Sequence, residues 1–163
     1  MAYVIRSGGI GQQQIADFST TQNHALGFRV FADDPTLGEG EFIYLSGVAS
    51  TVVGSFVTYR ADDWTTLLLV ADAAGPVAVA MSANIVVTTF GWYQIAGKAS
   101  GQAAASFADN GDVYITATGG VVDDAVVDGD LVHNARGAST ITSAGLADFE
   151  IMYPYTDNIA SND

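Results

Sequence analysis

The stretch Ser82-Ala-Asn-Ile-Val-Val-Thr-Thr-Phe-Gly-Trp-Tyr-Gln-Ile-Ala-Gly97 is the densest β-forming part of this chain of 163 residues. Branched side chains fill its middle and aromatic side chains follow, and both kinds fit a pleated, half-buried surface. The small Gly91 among them indicates a bulge, a bend or the close approach of another backbone. We therefore expect an aromatic strand here, in which Ile85, Val87 and Trp92 fill the core.

The rest of the chain reads as short β-forming runs with turn signals about every ten residues, a pattern typical of a β-sandwich or barrel. We predict an all-β, single-domain fold of roughly eight to ten short antiparallel strands. The alanine-rich runs 64–71 and 77–81 also leave a helix open, although Gly75-Pro76 forbids one continuous helix. The predicted strands cover residues 26–32, 42–49, 52–59, 64–71, 77–81, 82–97, 113–118, 121–122, 131–135 and 146–153.

Three local patterns refine this prediction. Residues 42–49 and 52–59 flank Ser50-Thr51 and suggest a hairpin or meander. Gly119-Gly120 supplies the positive φ that a tight hairpin after Val113 needs. In the last strand, Pro154 should end the strand, and alternation places one set of side chains inward: Ala147, Phe149, Ile151 and Tyr153.

Three segments follow from the pattern. Residues 1–24 are an N-terminal arm or an edge strand, residues 25–155 the β domain, and residues 156–163 a polar C-terminal tail. Apolar side chains in the first segment and in the aromatic strand are the candidates for contacts with other proteins. These interface candidates are Tyr3, Ile5, Ile10, Ile15, Phe18, Trp92 and Tyr93.

Composition limits the partners. The net charge is −13 with only five scattered basic residues, so binding to a nucleic-acid backbone is not expected. Only 14% of residues are charged while 49% are apolar, which favours a surface partly covered by protein; a monomer with an uncharged polar surface is the alternative. The start lacks a signal-peptide pattern and the longest apolar tract is too short to span a bilayer, so we expect a soluble protein with no membrane partner.

No residue pattern indicates catalysis, a cofactor or a structural metal. There is no cysteine, the two histidines His24 and His133 lie far apart, and no nucleophile elbow or phosphate-binding loop is present. Glutamate pairs of the glycosidase kind are not excluded by sequence, but we expect no enzyme. One acidic cluster is a candidate cation site or, alternatively, a set of solvated turn residues: Asp123, Asp124, Asp128 and Asp130.

Six phrases, in order, carry a resemblance from about Gly38 to Tyr155. They are Gly40-Glu-Phe-Ile-Tyr-Leu-Ser-Gly-Val-Ala-Ser-Thr51, Gly75-Pro-Val-Ala-Val-Ala80, Phe90-Gly-Trp-Tyr-Gln94, Val113-Tyr-Ile-Thr-Ala-Thr-Gly-Gly-Val-Val-Asp-Asp124, Asn134-Ala-Arg-Gly-Ala138 and Tyr153-Pro-Tyr155. Together they resemble the capsid decoration, or cement, proteins of tailed bacteriophages. None of these phrases contains a residue for which the resemblance implies a catalytic role.

The resemblance implies a non-enzymatic virion protein, made in the bacterial host cytoplasm, that binds the capsid exterior and stabilises the coat lattice. Its implied partners are the major capsid protein and copies of itself in a homotrimer. A phage tail, fibre or receptor-binding β module is the alternative, in which the aromatic residues would face a glycan. We further hypothesise that residues 1–18, or the Gly/Ser-rich loops, contact the coat protein, and that removing 2–18 leaves a folded domain.

Overall fold

The computed structural model describes residues 4–5, through their backbone alone, and residues 13–157. These residues contain no helix, and hence none that could cross a membrane. They form twelve strands joined in one sheet, which confirms the all-β prediction, although the strands outnumber the eight to ten predicted and one pair is parallel where all were expected to be antiparallel. The strands are β1 (Val4–Ile5), β2 (Phe18–Ser19), β3 (Arg29–Asp34), β4 (Gly38–Ser46), β5 (Phe56–Tyr59), β6 (Thr66–Leu68), β7 (Gly75–Ala80), β8 (Phe90–Ala103), β9 (Asp112–Ile115), β10 (Val122–Asp123), β11 (Leu131–Gly137) and β12 (Gly145–Thr156).

Strand β8 belongs to both halves of the fold because it bends in its middle. Gly97 has a φ of +100°, which L side chains rarely adopt, and a side chain there would collide with the Glu39 carbonyl oxygen. The buried Gln94 amide donates to the carbonyl oxygens of Ala96 and Lys98, each at 3.1 Å. These bonds hold the bend, so each half of β8 finds different partners.

The second half of β8 closes a small barrel. It pairs with β12 along one edge and with β10 along the other, and the circuit continues from β10 to β9, from β9 to β11 and from β11 to β12. A closed sheet leaves no open edge. The interior is filled by small and branched side chains and by aromatic rings. The ring centroid of Phe149 lies 5.1 Å from that of Phe56 and 5.1 Å from that of Phe107.

The first half of β8 lies in an antiparallel sheet of order β1-β3-β4-β8-β7-β5-β6. Both faces of its centre are buried, which is why β4 is apolar on consecutive residues from Phe42 to Leu45. One face packs with Tyr93 and Trp64, and the other packs with Trp92 and Ile15. The segment from Gln13 onward covers this second face.

Several predicted boundaries are wrong. Residues 82–89 form a loop, and the strand begins only at Phe90. Strand β4 starts at Gly38 rather than at Phe42, because the turn lies earlier, where the Asp34 carboxylate accepts the backbone N–H groups of Thr36 and Leu37. Strands β4 and β5 do not pair, so the predicted hairpin around residues 50–51 is absent. The β9–β10 pairing is confirmed, with a loop longer than two residues.

The end of the chain also differs from the prediction. Ala147, Phe149 and Ile151 point inward as expected, but Tyr153 is 47% exposed. Its φ of +50° breaks the alternation, and the next residue, Pro154, is buried within the strand instead of ending it. Strand β12 therefore runs through Thr156, one residue into the predicted tail, and residues 158–163 of that tail lie outside the described residues.

Candidate binding surfaces

The predicted interface residues fall into three groups. Tyr3 and Ile10 lie outside the described residues, and Ile5 is placed only through its backbone, in β1 opposite Ala32. Phe18 is exposed in β2, where it pairs with Gly91. The remaining three, Ile15, Trp92 and Tyr93, are core side chains of the single chain and so are not contacts to another molecule.

Burial also decides the chemistry of the aromatic strand. Burial raises the pKa of Tyr93 to about 12, and its hydroxyl lies 3.1 Å from the Asn84 amide. Trp92 donates its indole N–H to the backbone carbonyl of Gln13 at 3.3 Å. Neither ring reaches solvent, so neither can form a platform for a glycan.

Residues 13–24 are held against the sheet, where an arm or an edge strand was expected. The Gln13 side chain donates to the carbonyl oxygens of Asp17 and Phe90, and accepts from Tyr44 and Asn23. Next to it, His24 packs among three rings, Phe28, Tyr44 and Trp92, with centroids 5.0 to 5.8 Å away. Burial lowers the pKa of His24. These contacts make the segment part of the domain.

The first candidate surface, here called the loop surface, consists of Leu67, Ile85, Val86 and Val87, which are 45 to 61% exposed. The loop is fixed by the buried Asn84, whose carbonyl accepts the Val48 N–H at 3.1 Å, and by a turn in which Thr89 N–H donates to Val86. These four side chains form part of the lining of a cavity of about 430 Å³, in which Arg60 is the one charged lining residue. Three consecutive branched side chains thus face solvent on a held loop.

The second surface, the barrel pocket, is a cavity of about 430 Å³ on the outside of the small barrel. Its apolar lining is Tyr114, Val126, Val127 and Leu131. Val126 is 79% exposed. The charged rim consists of Asp128 and Asp157, with the His133 imidazole 3.4 Å from Asp157 and stacked on Tyr155. The pocket therefore combines apolar walls with negative charge.

The third surface, the Glu41 cleft, is a cavity of about 210 Å³ that crosses four strands. Strand register places Phe31, Glu41, Ala96 and Met152 in one row, with the exposed Phe31 and Met152 as its ends. The buried Glu41 carboxylate accepts the Tyr153 hydroxyl and lies 3.7 Å from Arg29.

The hydrogen bond to Glu41 raises the pKa of Tyr153, so this phenol stays protonated and donates. The Arg29 guanidinium also lies over the Tyr153 ring, 5.9 Å from its centroid. The Glu41 carboxylate therefore has its partners, Arg29 and Tyr153, within the chain. A partner would meet a second carboxylate, that of Glu39, and the apolar ends of the cleft.

The acidic cluster has a structural explanation. Asp123 accepts the N–H of Asp124, Asp124 accepts that of Ala108, and Asp130 accepts that of Asp72, at 2.9 to 3.0 Å. Within residues 13–157, no three His, Cys, Asp or Glu side chains form a group that could hold a metal ion. These aspartates act as caps of turns.

Sequence reasoning missed Leu67 and Val126 as exposed surface residues, whereas alternation along the last strand correctly left Met152 on the outward face. Each of the two missed residues is an apolar residue in an apolar run, and such runs are ordinarily read as core. The one available signal was local: Ile85–Val87 follows Asn84, a residue that favours turns over strands.

No protein-family model, curated protein or solved structure matches this chain. The fold and its surfaces define the class: a single-domain all-β protein with separate exposed apolar surfaces.

Proposed function

We propose that this chain is a structural virion protein that binds the outer surface of a phage capsid and stabilises the coat lattice, as a homotrimer. The observation that carries the proposal is the grouping of exposed apolar side chains into separate surfaces on one domain: the loop surface, the barrel pocket and the Glu41 cleft. Contiguous exposed apolar patches mark interaction sites. A protein that locks neighbours together needs more than one such surface.

The mechanism is linkage. A ligand that binds only the assembled shell stabilises it by RT ln(1 + [L]/Kd) for each site, with no chemical step. The closed strand circuit and packed interior of the barrel support this role, because surfaces that are already ordered lose little of the binding free energy to ordering. The low charge density of the chain is consistent with surfaces that become covered.

The rival role is a tail, fibre or receptor-binding module. Quantitative mass spectrometry of purified particles distinguishes the two, because a decoration protein is present in numbers of the same order as the coat protein, whereas a tail or fibre protein is present at a small fraction of it. Absence from particles would overturn both roles.

A binding assay then tests the capsid contact. The purified chain is added to particles that lack it, and co-sedimentation is measured. The arm hypothesis is tested here by removing residues 2–12, which keeps Gln13 and Ile15 in place but also removes β1. Full occupancy by this variant would refute a role of the arm.

A further inference from the structure

We propose that the loop surface of one copy packs into the barrel pocket of a second copy, so that copies associate head to tail. This inference deepens the proposed function, because it names the contact that joins the copies of the proposed homotrimer, and it rests on that part of the proposal. Self-association is measured on the purified protein and capsid binding on particles, so the failure of one can be told from the failure of the other.

The loop surface is suited to be the inserted part. Ile85, Val86 and Val87 are exposed together, and the loop that carries them is held at both ends by the bonds of Asn84 and Thr89. A segment that is already ordered loses little conformational entropy on binding. Burial of its branched side chains then contributes favourably to the free energy of association.

The barrel pocket is suited to be the receiving part. Its walls are Val126 and Val127 from one loop, and its floor contains Tyr114 and Leu131, which are opposite each other in the β9–β11 register. Its volume of about 430 Å³ lies in the range of cavities that bury small ligands. The tip of an apolar loop is of comparable size.

Charge decides the pairing. Arg60 is the one charged lining residue beside the loop surface, whereas Asp128 and Asp157 lie at the rim of the barrel pocket. If the loop surfaces of two copies packed against each other, the Arg60 side chain of one copy would lie near Arg60 of the other. If two barrel pockets packed against each other, the carboxylates at their rims would lie close together. Like charges across an interface are costly, so only the head-to-tail arrangement matches opposite charges. A second copy of this chain is the occupant that we propose, because each copy itself carries the surface of opposite charge.

A head-to-tail contact is heterologous, which means that each copy uses one surface toward each of two neighbours, and the assembly closes into a ring if the rotation permits. This predicts a distinctive mixing result. Val87→Asp blocks the loop surface and Val126→Asp blocks the barrel pocket, and each variant alone should be a monomer by sedimentation velocity. An equimolar mixture retains one intact pair of surfaces and should give a dimer and nothing larger.

Val53→Asp is the matched control, because Val53 is 45% exposed and lines neither cavity. It should assemble like the unaltered chain. Since all three sites are exposed, the variants should keep the circular dichroism spectrum and the melting temperature. In a second test, Arg60→Glu should weaken association by about tenfold or more, and Asp128→Arg combined with it should restore association.

A monomeric unaltered chain, at the highest concentration at which it stays in solution, would overturn the proposal. So would a mixture of the two variants that remains monomeric, or either variant alone forming the full assembly. Co-sedimentation of the Val87→Asp monomer with particles lacking the protein would show capsid binding without self-association, so the capsid-binding role would survive and the homotrimer would not be needed for it.

Discussion

The hydroxyl of Tyr44 donates a hydrogen bond of 2.6 Å to the side-chain oxygen of Gln13, although the two residues are 31 positions apart. Both groups are buried, and this contact joins the segment at Gln13 to the central strand β4. It shows that the domain begins earlier than residue 25.

The Gln13→Ala variant should lower the free energy of unfolding by about 1 to 3 kcal/mol, because the Tyr44 hydroxyl and the Phe90 carbonyl lose their partner in a buried site. Gln14→Ala is the matched control, since Gln14 is exposed. Chemical denaturation measures both. Equal stabilities of the two variants would show that Gln13 does not anchor the segment.

Deletion of residues 2–18 should destabilise the domain far more than deletion of 2–12, contrary to our hypothesis from the sequence. The longer deletion removes Gln13 and also Ile15, which is 1% exposed and packs in the core with Trp92. Thermal melts of the two truncated chains make the comparison. A folded 2–18 deletion with an unchanged melting temperature would contradict the structural role of this segment.

Trp92→Ala should cost about 3 to 5 kcal/mol of stability, because the ring is fully buried among Tyr44, His24 and Ile15. Val87→Ala, on the exposed loop, should change stability by no more than about 0.5 kcal/mol. Urea unfolding of the two variants compares a core residue and a surface residue of the same stretch, residues 82–97. Lost binding with unchanged stability of the tryptophan variant would instead indicate a binding platform.

Stability should fall as the pH drops below about 6.5, the ordinary value for a histidine. Burial among rings lowers the pKa of His24 in the folded state, so the unfolded chain takes up the proton first as the pH falls. The stability that the neutral His24 contributes is therefore complete above the pKa of the histidine in the unfolded chain, and it is lost as the pH falls through the pKa of His24 in the folded protein. Unfolding curves from about pH 7.5 to about 5.5 measure it. His24→Phe should flatten this dependence, and an unchanged pH dependence in that variant would contradict the role of His24.

Asp130→Ala should lower the free energy of unfolding by about 1.5 to 3 kcal/mol, because its buried carboxylate accepts the backbone N–H of Asp72 at 2.9 Å and so ties two turns together. Asp130→Asn keeps an acceptor oxygen and should cost less. Millimolar calcium should leave the melting temperature of the unaltered chain unchanged. A calcium-dependent rise that is lost in Asp130→Asn would restore the cation site.

Local chemistry in the sequence determined the fold class and several elements. Branched and aromatic runs between glycine, proline and aspartate turns predicted an all-β domain, and the β9–β10 pairing and the inward positions Phe149 and Ile151 follow from turn residues and alternation. Of the two roles predicted for Trp92, core residue and interface residue, the core role is confirmed, but the prediction that Ile85 and Val87 also lie in the core is wrong. The confirmed features depend on neighbours in the chain, which the sequence displays directly.

The tertiary structure alone decided which apolar residues face solvent, and hence where the candidate surfaces lie. Within the opening stretch, Trp92 is core because the segment at Gln13 covers its face of the sheet, whereas Ile85 to Val87 are exposed because Asn84 and Thr89 bind across the loop that carries them. β propensity is a property of the residue, but burial depends on what packs against it from distant parts of the chain. The same sequence pattern therefore produced a core strand on one side of Phe90 and an exposed loop on the other.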